Sequence, residues 1–470
     1  MQEKNTPATS FLIIFITIVF LLGISYIGPA LTIEGLSLKK YNLFSDILTK
    51  EKKKPVPVSI ITHDTIILKD SVIETHVQKE VNTAIVDFAK DTIGGLDHFI
   101  KSLVETKKTG KITRVAYFGD SMIEGDILTQ DLRSNLQSAF GGKGVGFVPM
   151  TSITAGFRQT IHQSFSNDWD TYSLITNTKP ENSLGISGYV FIPQFKKDSI
   201  TGKLNTSWVN YNACSYLKNL DTFHTLKLYY GESNENNYVK YQLAGKEVTR
   251  TLSGKNAVNE IVLNDSVPMK NVVLNFFCET PLKIYGASFE SNSGVFVDNY
   301  SFRGNSGLPL TKIPANILRS FNTHLKYDLI IIHYGLNVAN SNVKDYSWYQ
   351  AGMTRVVNHL KACFPQSSFL LISIGDKSYK TNMEYETDPA IPLLVAAQRR
   401  IAEQTGIAFW NLYENMGGFN SMVSWVDSTE PLANKDYAHL NFRGGKKVAD
   451  MLFKHLMEEY DHYDKAGKIQ

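Results

Sequence analysis

Two separate stretches of the chain share one pattern, in which apolar segments of strand length alternate with segments of helical periodicity. The first stretch covers residues 96–140, and the second runs from about residue 295 to residue 458. Segments that are apolar on both faces, such as residues 115–118, are typical of a parallel sheet that helices cover on both faces. The sequence therefore predicts an α/β fold built on a flavodoxin-like, doubly wound parallel sheet. The predicted strands of this sheet are residues 113–118, 329–334, 368–374 and 407–411.

Residues 151–294, between the two stretches, have a different pattern. Short β-rich runs are separated there by Ser, Asn, Gly and Asp, which predicts an inserted, carbohydrate-binding-like β-sandwich. Four aromatic residues of this insertion are candidates either for stacking against sugar rings or for core packing: Trp169, Tyr172, Trp208 and Tyr211. The predicted runs are residues 189–193, 225–230, 238–243, 260–263, 272–277 and 282–285.

An apolar segment near the N-terminus is long enough to cross a bilayer. Residues 11–28 carry no charge and are rich in Ile, Leu, Phe and Val. A helix rises about 1.5 Å per residue, so a segment of this length predicts an N-terminal transmembrane helix. A cleaved signal peptide is the alternative. No small-x-small cleavage site follows it, which favours the membrane anchor. We expect the rest of the chain to lie outside the cytoplasm.

Charge and cysteine content argue against several classes of ligand. The net charge of +3 is too balanced to indicate a nucleic-acid partner. The cysteines, Cys214, Cys278 and Cys363, lie far apart and show no metal-binding spacing. They are either buried free thiols or include one bridge between Cys214 and Cys278. We expect no metal and no cofactor.

The residues of a nucleophilic site occur in the order Ser, Asp, His. Ser121 follows the first predicted strand within Gly119-Asp120-Ser121-Met122, and Asp436 and His439 are separated by two residues. A serine nucleophile needs an imidazole to accept its proton, and the imidazole needs a carboxylate to orient it. These three residues are the predicted catalytic residues.

These motifs resemble the conserved blocks of the SGNH (GDSL-type) hydrolases. The first block is Gly-Asp-Ser-Leu, here with Met122 in place of Leu, and the last is Asp-x-x-His, here Asp436 to His439. The second block contributes a glycine N–H, for which Gly307 in Asn305-Ser306-Gly307 fits best and Gly304 is the second candidate. The third is Gly-x-Asn-Asp, of which Gly335 and Asn337 are present and the final Asp is not.

The resemblance implies an oxyanion hole and an activity. The oxyanion hole would consist of the Ser121 and Gly307 backbone N–H groups and the Asn337 side-chain amide. A hydrolase domain split by a β-sandwich is similar to the two-domain peptidoglycan O-acetylesterases. This similarity implies a serine esterase that removes O-acetyl groups from peptidoglycan or another cell-envelope polysaccharide. The alternatives are an O-acetyltransferase, a general carbohydrate esterase and a non-catalytic glycan-binding protein.

The resemblance also implies a division of the chain and a location. We expect a protein of the bacterial cell envelope, anchored in the inner membrane with its catalytic domain outside the cytoplasm, or secreted if the apolar segment is cleaved. The expected parts are a membrane anchor or signal peptide at residues 1–30, a tether at 31–90, the first part of the hydrolase domain at 91–150, the insertion at 151–294 and the second part of the hydrolase domain at 295–470.

Overall fold

The computed structural model divides the chain into two compact units, residues 1–78 and 79–470. In the first unit a two-residue strand pair, β1 (Thr32–Ile33) with β2 (Leu36–Ser37), is antiparallel. The predicted membrane helix lies outside the described residues apart from residues 15–17, which are helical. Among the described residues, no helix combines the length and the apolar character that crossing a membrane requires. The described residues are 15–17, 32–33, 36–37, 83–89, 95–176, 182–194, 196–197, 204–264, 267–381 and 383–465.

The second unit contains both predicted folds. Its strands are β3 (Val86–Asp87), β4 (Ile112–Gly119), β5 (Gly146–Val148), β6 (His162–Phe165), β7 (Trp169–Ser173), β8 (Tyr189–Pro193), β9 (Lys196–Lys197), β10 (Leu204–Asn205), β11 (Ser207–Asn212), β12 (Thr225–Tyr230), β13 (Tyr238–Leu243), β14 (Lys246–Thr251), β15 (Asn259–Asn264), β16 (Asn271–Phe277), β17 (Ile284–Glu290), β18 (Gly294–Ser301), β19 (Leu329–His333), β20 (Ser368–Ile372), β21 (Ser378–Thr381), β22 (Glu384–Thr387) and β23 (Ala408–Trp410). Its α-helices are α1 (Asp97–Thr109), α2 (Thr129–Phe140), α3 (Ala315–Leu325), α4 (Ser347–Cys363), α5 (Ala390–Thr405), α6 (Leu412–Met416), α7 (Ser421–Val426) and α8 (Phe442–Lys465). Short 3-10 helices span Ser121–Asp126 and Leu308–Lys312.

The central sheet has the strand order β18-β4-β19-β20-β23-β3. Strands β18 to β23 in this order are parallel, and β3 pairs antiparallel with β23 at the edge. The second parallel strand along the chain, β18, lies beside the first, β4, and the later strands extend the sheet on the other side. This order confirms the predicted flavodoxin-like α/β fold. Strand β3 lies within the stretch predicted as a tether, so the chain joins the sheet before residue 90.

Helices cover both faces of this sheet. Along β4, Val115 and Tyr117 belong to one buried cluster, together with side chains of α1, α2 and α8. The alternate residues, Ala116 and Phe118, belong to a second cluster with side chains of α3, α4 and α5. Burial of both faces explains why residues 115–118 of this strand are all apolar or aromatic.

The insertion is an antiparallel β-sandwich, as predicted. One sheet has the order β14-β13-β16-β11-β6, and the other has the order β15-β12-β17-β8-β7, with β5 also paired to β17. Along β11, buried and partly buried residues alternate, which is the pattern of a strand with one face toward a core. Trp169 and Tyr211 lie in the core between the sheets. Of the two alternatives for these rings, the structure shows core packing.

A buried carboxylate links the insertion to the catalytic turn. Asp126 ends the 3-10 helix that begins at Ser121, and it accepts hydrogen bonds from Arg133 of α2 at 3.1 Å. It also accepts from Arg158 at 2.8 Å and from Thr160 at 2.5 Å, both in the segment that leads into the sandwich. Burial favours the neutral acid, but the two guanidinium groups outweigh it and hold the pKa of Asp126 far below its usual range. The carboxylate is therefore ionised and joins three segments of the chain.

Removing the charge of Asp126 should destabilise the protein. Asp126→Asn keeps the shape of the side chain and tolerates the left-handed backbone at this position (φ 68°), but it leaves two guanidinium groups without a carboxylate. Loss of one partner of a buried ion pair typically costs about 3–5 kcal/mol. Thermal unfolding of the full chain should show a large fall in Tm. As a control, Glu247→Gln at the exposed Lys240 pair should change stability by less than about 1 kcal/mol, and equal effects of the two changes would contradict the assignment.

Candidate active site

The predicted catalytic residues meet at the carboxyl edge of the parallel sheet. Ser121 follows β4, Gly304 follows β18 and Asn337 follows β19. Asp436 and His439 lie on the loop that precedes α8. The carboxyl ends of parallel strands share one edge, and functional groups of doubly wound folds gather there.

Ser121, His439 and Asp436 form a continuous chain of contacts. The Ser121 Oγ lies 2.9 Å from the His439 Nε2 across a separation of 318 residues. The His439 Nδ1 lies 2.8 Å from the Asp436 Oδ2. An ionised carboxylate can only accept, so the Nδ1 carries the proton and donates it, which leaves the Nε2 free to accept from the serine hydroxyl. This is the arrangement in which a serine becomes a nucleophile.

Asp436 is held in its ionised form. Partial burial favours the neutral acid, but hydrogen bonds from the His439 backbone N–H and side chain and from the Ala438 N–H lower the pKa of the carboxyl below its usual value. Both backbone N–H groups donate to the Oδ1 at 3.0 Å. The other oxygen is thereby left to orient the imidazole.

A hairpin supports the loop that carries the His–Asp pair. Tyr437 has a positive φ of 55°, which is uncommon for a bulky residue. Its ring stacks on that of Tyr385 in the β21–β22 hairpin, with centroids 3.7 Å apart. Its carbonyl oxygen accepts from the Ser378 N–H at 2.9 Å. These contacts, with the Asn434 N–H donating to the His439 carbonyl at 2.8 Å, hold a strained turn in one conformation.

For the glycine of the predicted oxyanion hole, the structure favours the second candidate, Gly304, over the first, Gly307. The Gly307 N–H donates to the Asn305 Oδ1 at 2.9 Å in a buried position, so it is already used within its own turn. Gly304, the second candidate, lines the same cavity as Ser121. Two residues separate the two glycines, and Gly304, which is nearer to the end of β18, is the one that lines the cavity with Ser121.

Asn337 lies at the cavity, and its amide contacts a buried carboxylate. The Asn337 Nδ2 donates to the Asp120 Oδ2 at 3.2 Å and to the Asn305 carbonyl at 3.1 Å. Asp120 is only 1% exposed, and its Oδ1 accepts from the Met122 N–H at 3.0 Å. Burial raises the pKa of the Asp120 carboxyl to about 6 despite the hydrogen bond from Met122 and the field of His439. The Asn337 amide, which is predicted to stabilise an oxyanion, therefore also donates a hydrogen bond to Asp120. Burial disfavours the charged form of this carboxyl.

The cavity that Ser121, Asp436 and His439 line has a volume of about 620 Å³. One wall comes from the segment that leads into the sandwich, where Ile153 is 85% exposed and Phe157 is 48% exposed. Phe157 stacks on Phe442, with ring centroids 4.9 Å apart. The insertion segment therefore contributes apolar surface beside the nucleophile.

Sequence reasoning missed an ion pair at the rim of this cavity. The Arg303 guanidinium donates to the Glu124 Oε2 from its Nε at 2.8 Å and from its Nη2 at 2.5 Å. Glu124 lies three positions after Ser121 and Arg303 directly precedes Gly304, so the pair joins the turn of Ser121 to the turn of Gly304. The sequence signal that could have indicated this ion pair is that Glu124 and Arg303 each lie beside one of the motif blocks.

Other reactive groups lie elsewhere. Cys214, Cys278 and Cys363 are free and buried. Within the part of the chain that the structure describes, no group of three or more His, Cys, Asp or Glu residues could hold a metal ion.

Comparison with known proteins identifies the fold. No family model and no curated protein sequence matches the chain. The structure is similar to a solved structure of a peptidoglycan O-acetylesterase, with a TM-score of 0.64 and 20% identity over 80% of this chain and 99% of that chain. Weaker similarities are to the acetyl xylan esterase AlAXEase (TM-score 0.28, 17% identity, 35% of this chain and 81% of that one) and to a carbohydrate esterase family 3 protein from Talaromyces cellulolyticus (TM-score 0.27, 15% identity, 35% and 72%). The first match confirms, at the level of the fold, the predicted resemblance to a peptidoglycan O-acetylesterase.

The buried carboxyl of Asp120 should make stability depend on pH. Its pKa is raised to about 6 in the folded protein, so the folded state binds this proton more tightly than the unfolded state does. Stability from this group is present below pH 4 and is lost as the pH rises through 6. Compared with Asp120→Asn, the wild-type protein should lose on the order of 2 kcal/mol between pH 4 and pH 6. Thermal unfolding of both proteins across this range measures the difference, and parallel curves would contradict the assignment.

Proposed function

We propose that the protein is a serine esterase that removes O-acetyl groups from peptidoglycan or another cell-envelope polysaccharide. The observation that carries the proposal is the Ser121–His439–Asp436 chain of contacts at 2.9 and 2.8 Å, opening into a cavity of about 620 Å³. A nucleophile, a base and an orienting carboxylate are the groups that acyl transfer to water requires.

The geometry supports a two-step reaction. The Ser121 oxygen attacks the acetyl carbonyl carbon while its proton passes to the His439 Nε2, and Asp436 stabilises the resulting imidazolium. The oxyanion is placed to accept from the backbone N–H groups of Ser121 and Gly304 and from the Asn337 amide. Collapse of the intermediate breaks the bond to the sugar oxygen, which takes the proton from His439. Water then attacks the acetyl-serine by the same route and releases acetate.

The proposed substrate is a polymer because of where the cavity lies. Its wall includes the segment that leads into the β-sandwich, so a glycan that reaches Ser121 also passes the insertion. A protein of the same fold is a peptidoglycan O-acetylesterase, and this similarity makes O-acetylated peptidoglycan the first substrate to test.

The apolar segment at residues 11–28 supports a location at the cell envelope. We place the catalytic domain outside the cytoplasm, where a peptidoglycan substrate is found. The segment would then act as an inner-membrane anchor, or as a signal peptide that releases the domain when cleaved.

Removing the nucleophile should abolish the activity. Ser121→Ala should reduce acetate release from O-acetylated peptidoglycan and from acetylated xylan to background, and His439→Ala should be nearly as damaging because the two residues act as a unit. Ser138→Ala, at an exposed serine of α2, is the matched control and should retain full activity. Wild-type turnover of an aryl acetate by the Ser121→Ala protein would disprove the mechanism. Acetate release from an aryl acetate but from neither polymer would disprove the proposed substrate class alone.

Asn337 should act on the transition state rather than on binding. Asn337→Ala should lower kcat by about a hundredfold or more with little change in KM, because an oxyanion donor acts where charge develops. Asn337→Asp should be at least as damaging, since it puts a negative charge beside Asp120 and the oxyanion. Asn342→Ala, at an exposed position outside the cavity, should leave both constants unchanged. A change in KM alone would place Asn337 in substrate binding instead.

A further inference from the structure

Gly304, the glycine that lines the cavity with Ser121, has few contacts of its own. An added Cβ at this position would meet no heavy atom within 4 Å beyond its chain neighbours, so that side of the residue is open. Its φ of 74° lies in the left-handed region that glycine adopts without strain. Among the described residues, none accepts a hydrogen bond from the Gly304 N–H. The direction of this N–H is therefore set by the residues on either side of it.

The residue after Gly304 is fixed inside the protein. Asn305 is buried, and its N–H donates to the Phe302 carbonyl at 3.3 Å. Its own carbonyl accepts from the Asn337 amide at 3.1 Å. The chain that leaves Gly304 is thus held by backbone contacts, and one of them also orients the second predicted donor of the oxyanion hole.

The residue before Gly304 is exposed, and its side chain holds it. The side chain of Arg303 is 64% exposed, whereas that of Glu124 is 11% exposed. The Arg303 guanidinium donates to the Glu124 Oε2 from its Nε at 2.8 Å and from its Nη2 at 2.5 Å. Because the guanidinium is planar, two donors on one carboxylate fix its orientation as well as its position.

Glu124 is a fixed point for this contact because the residues that follow it are held in place. An added Cβ at Gly125 would lie 2.4 Å from a carbon of the Phe157 ring, so the backbone and the ring are in close contact. Asp126 comes next and is bound by two guanidinium groups. The same 3-10 helix begins at Ser121. Glu124 is therefore held in one position relative to the nucleophile.

We infer that the Glu124–Arg303 ion pair positions the oxyanion hole by fixing the Gly304 N–H relative to the Ser121 Oγ. One partner shares a rigid turn with the nucleophile, and the other directly precedes the donor. In this role neither side chain contacts the reacting atoms, so both are positioning residues. The inference rests on the proposed esterase mechanism, in which a donor is effective only at hydrogen-bond distance from the developing charge.

Kinetics on a small aryl acetate test the inference. Glu124→Gln and Arg303→Met remove one charge each and keep the approximate size of the side chain. Each should lower kcat about tenfold or more with little change in KM, because a slightly misplaced donor costs rate at every ester. Arg399→Met and Glu403→Gln break another exposed ion pair, on α5, and should leave both constants unchanged. Rates are compared well below the Tm of each variant, and an unchanged kcat in both single variants would overturn the inference.

A protein that carries both Glu124→Gln and Arg303→Met separates positioning from direct substrate binding. If the two residues act as a pair, this protein should lose about as much kcat as the more damaging single variant. If Arg303 instead binds an anionic group of the polymer, Arg303→Met should raise KM for the acetylated polymer and leave aryl acetate hydrolysis unchanged. That result, or losses that multiply in the double variant, would contradict the positioning role.

Hydrogen exchange of the full chain without substrate gives a readout that does not depend on activity. The Asn305 and Gly307 N–H groups both donate within this segment. In Glu124→Gln and in Arg303→Met, mass spectrometry of the peptide that contains residues 302–307 should show exchange about threefold faster or more, and Arg399→Met should match the wild type. Unchanged exchange in both single variants would overturn the inference.

Failure of the proposed function has a separate outcome. If exchange becomes faster in the two variants but the wild-type protein hydrolyses no ester, the esterase proposal is wrong, the inference falls with it, and the ion pair only orders the turn. If the wild-type protein hydrolyses esters and neither kcat nor exchange responds to the two substitutions, the esterase proposal stands and the positioning role is wrong.

Discussion

Parallel strands of one sheet present their carboxyl ends at one edge, and the candidate site depends on this constraint more than on any single contact. Strands β18, β4 and β19 are adjacent, so the turns that follow them are neighbours although they are distant in sequence. The nucleophile, the glycine N–H and the asparagine amide each come from one of these turns. The loop before α8 then has to supply only the base and its carboxylate, and two intervening residues suffice for that.

The same sheet explains how a whole domain is inserted without disturbing the site. The chain leaves after α2 and returns at β18, where the Val295 N–H donates to the Gly141 carbonyl at 2.9 Å, so the points of exit and return are in direct contact. At Gly144 an added Cβ would lie 2.4 Å from the Phe289 carbonyl oxygen, which explains a glycine at this close crossing. The insertion has its own core, and the Asp126 ion cluster fixes its leading segment against the catalytic turn. That segment can then line the cavity at Ser121.

The sequence predicted the elements whose burial leaves a clear pattern. The fully apolar strands and the striped helices of the central domain, and the residues Ser121 and His439, follow from periodicity and motif spacing. The sequence analysis did not predict strand β11, which reads Ser-Trp-Val-Asn-Tyr-Asn, or the two-residue strand β3. Both are defined by pairing with strands that are distant in the sequence. The choice between Gly304 and Gly307 also depends on tertiary structure. Both have a positive φ, of 74° and 87°, and only the hydrogen bond from Gly307 to the Asn305 side chain shows which N–H is already used.

Asp120 links the charge of His439 to the predicted oxyanion hole, because it lies in the field of the imidazole and also contacts Asn337. Its carboxylate accepts from the Asn337 amide, which orients that amide but places a negative charge near the developing oxyanion. The field of His439 favours the ionised form of Asp120, and in the proposed reaction this field becomes stronger when the imidazole accepts the serine proton. In the proposed reaction, two carboxylates therefore stabilise the imidazolium in the step that creates the oxyanion, Asp436 by direct contact and Asp120 through its field. Because Asp120 is buried and fixed by the Met122 N–H, it exerts this effect without reorganising, as preorganised electrostatic stabilisation requires.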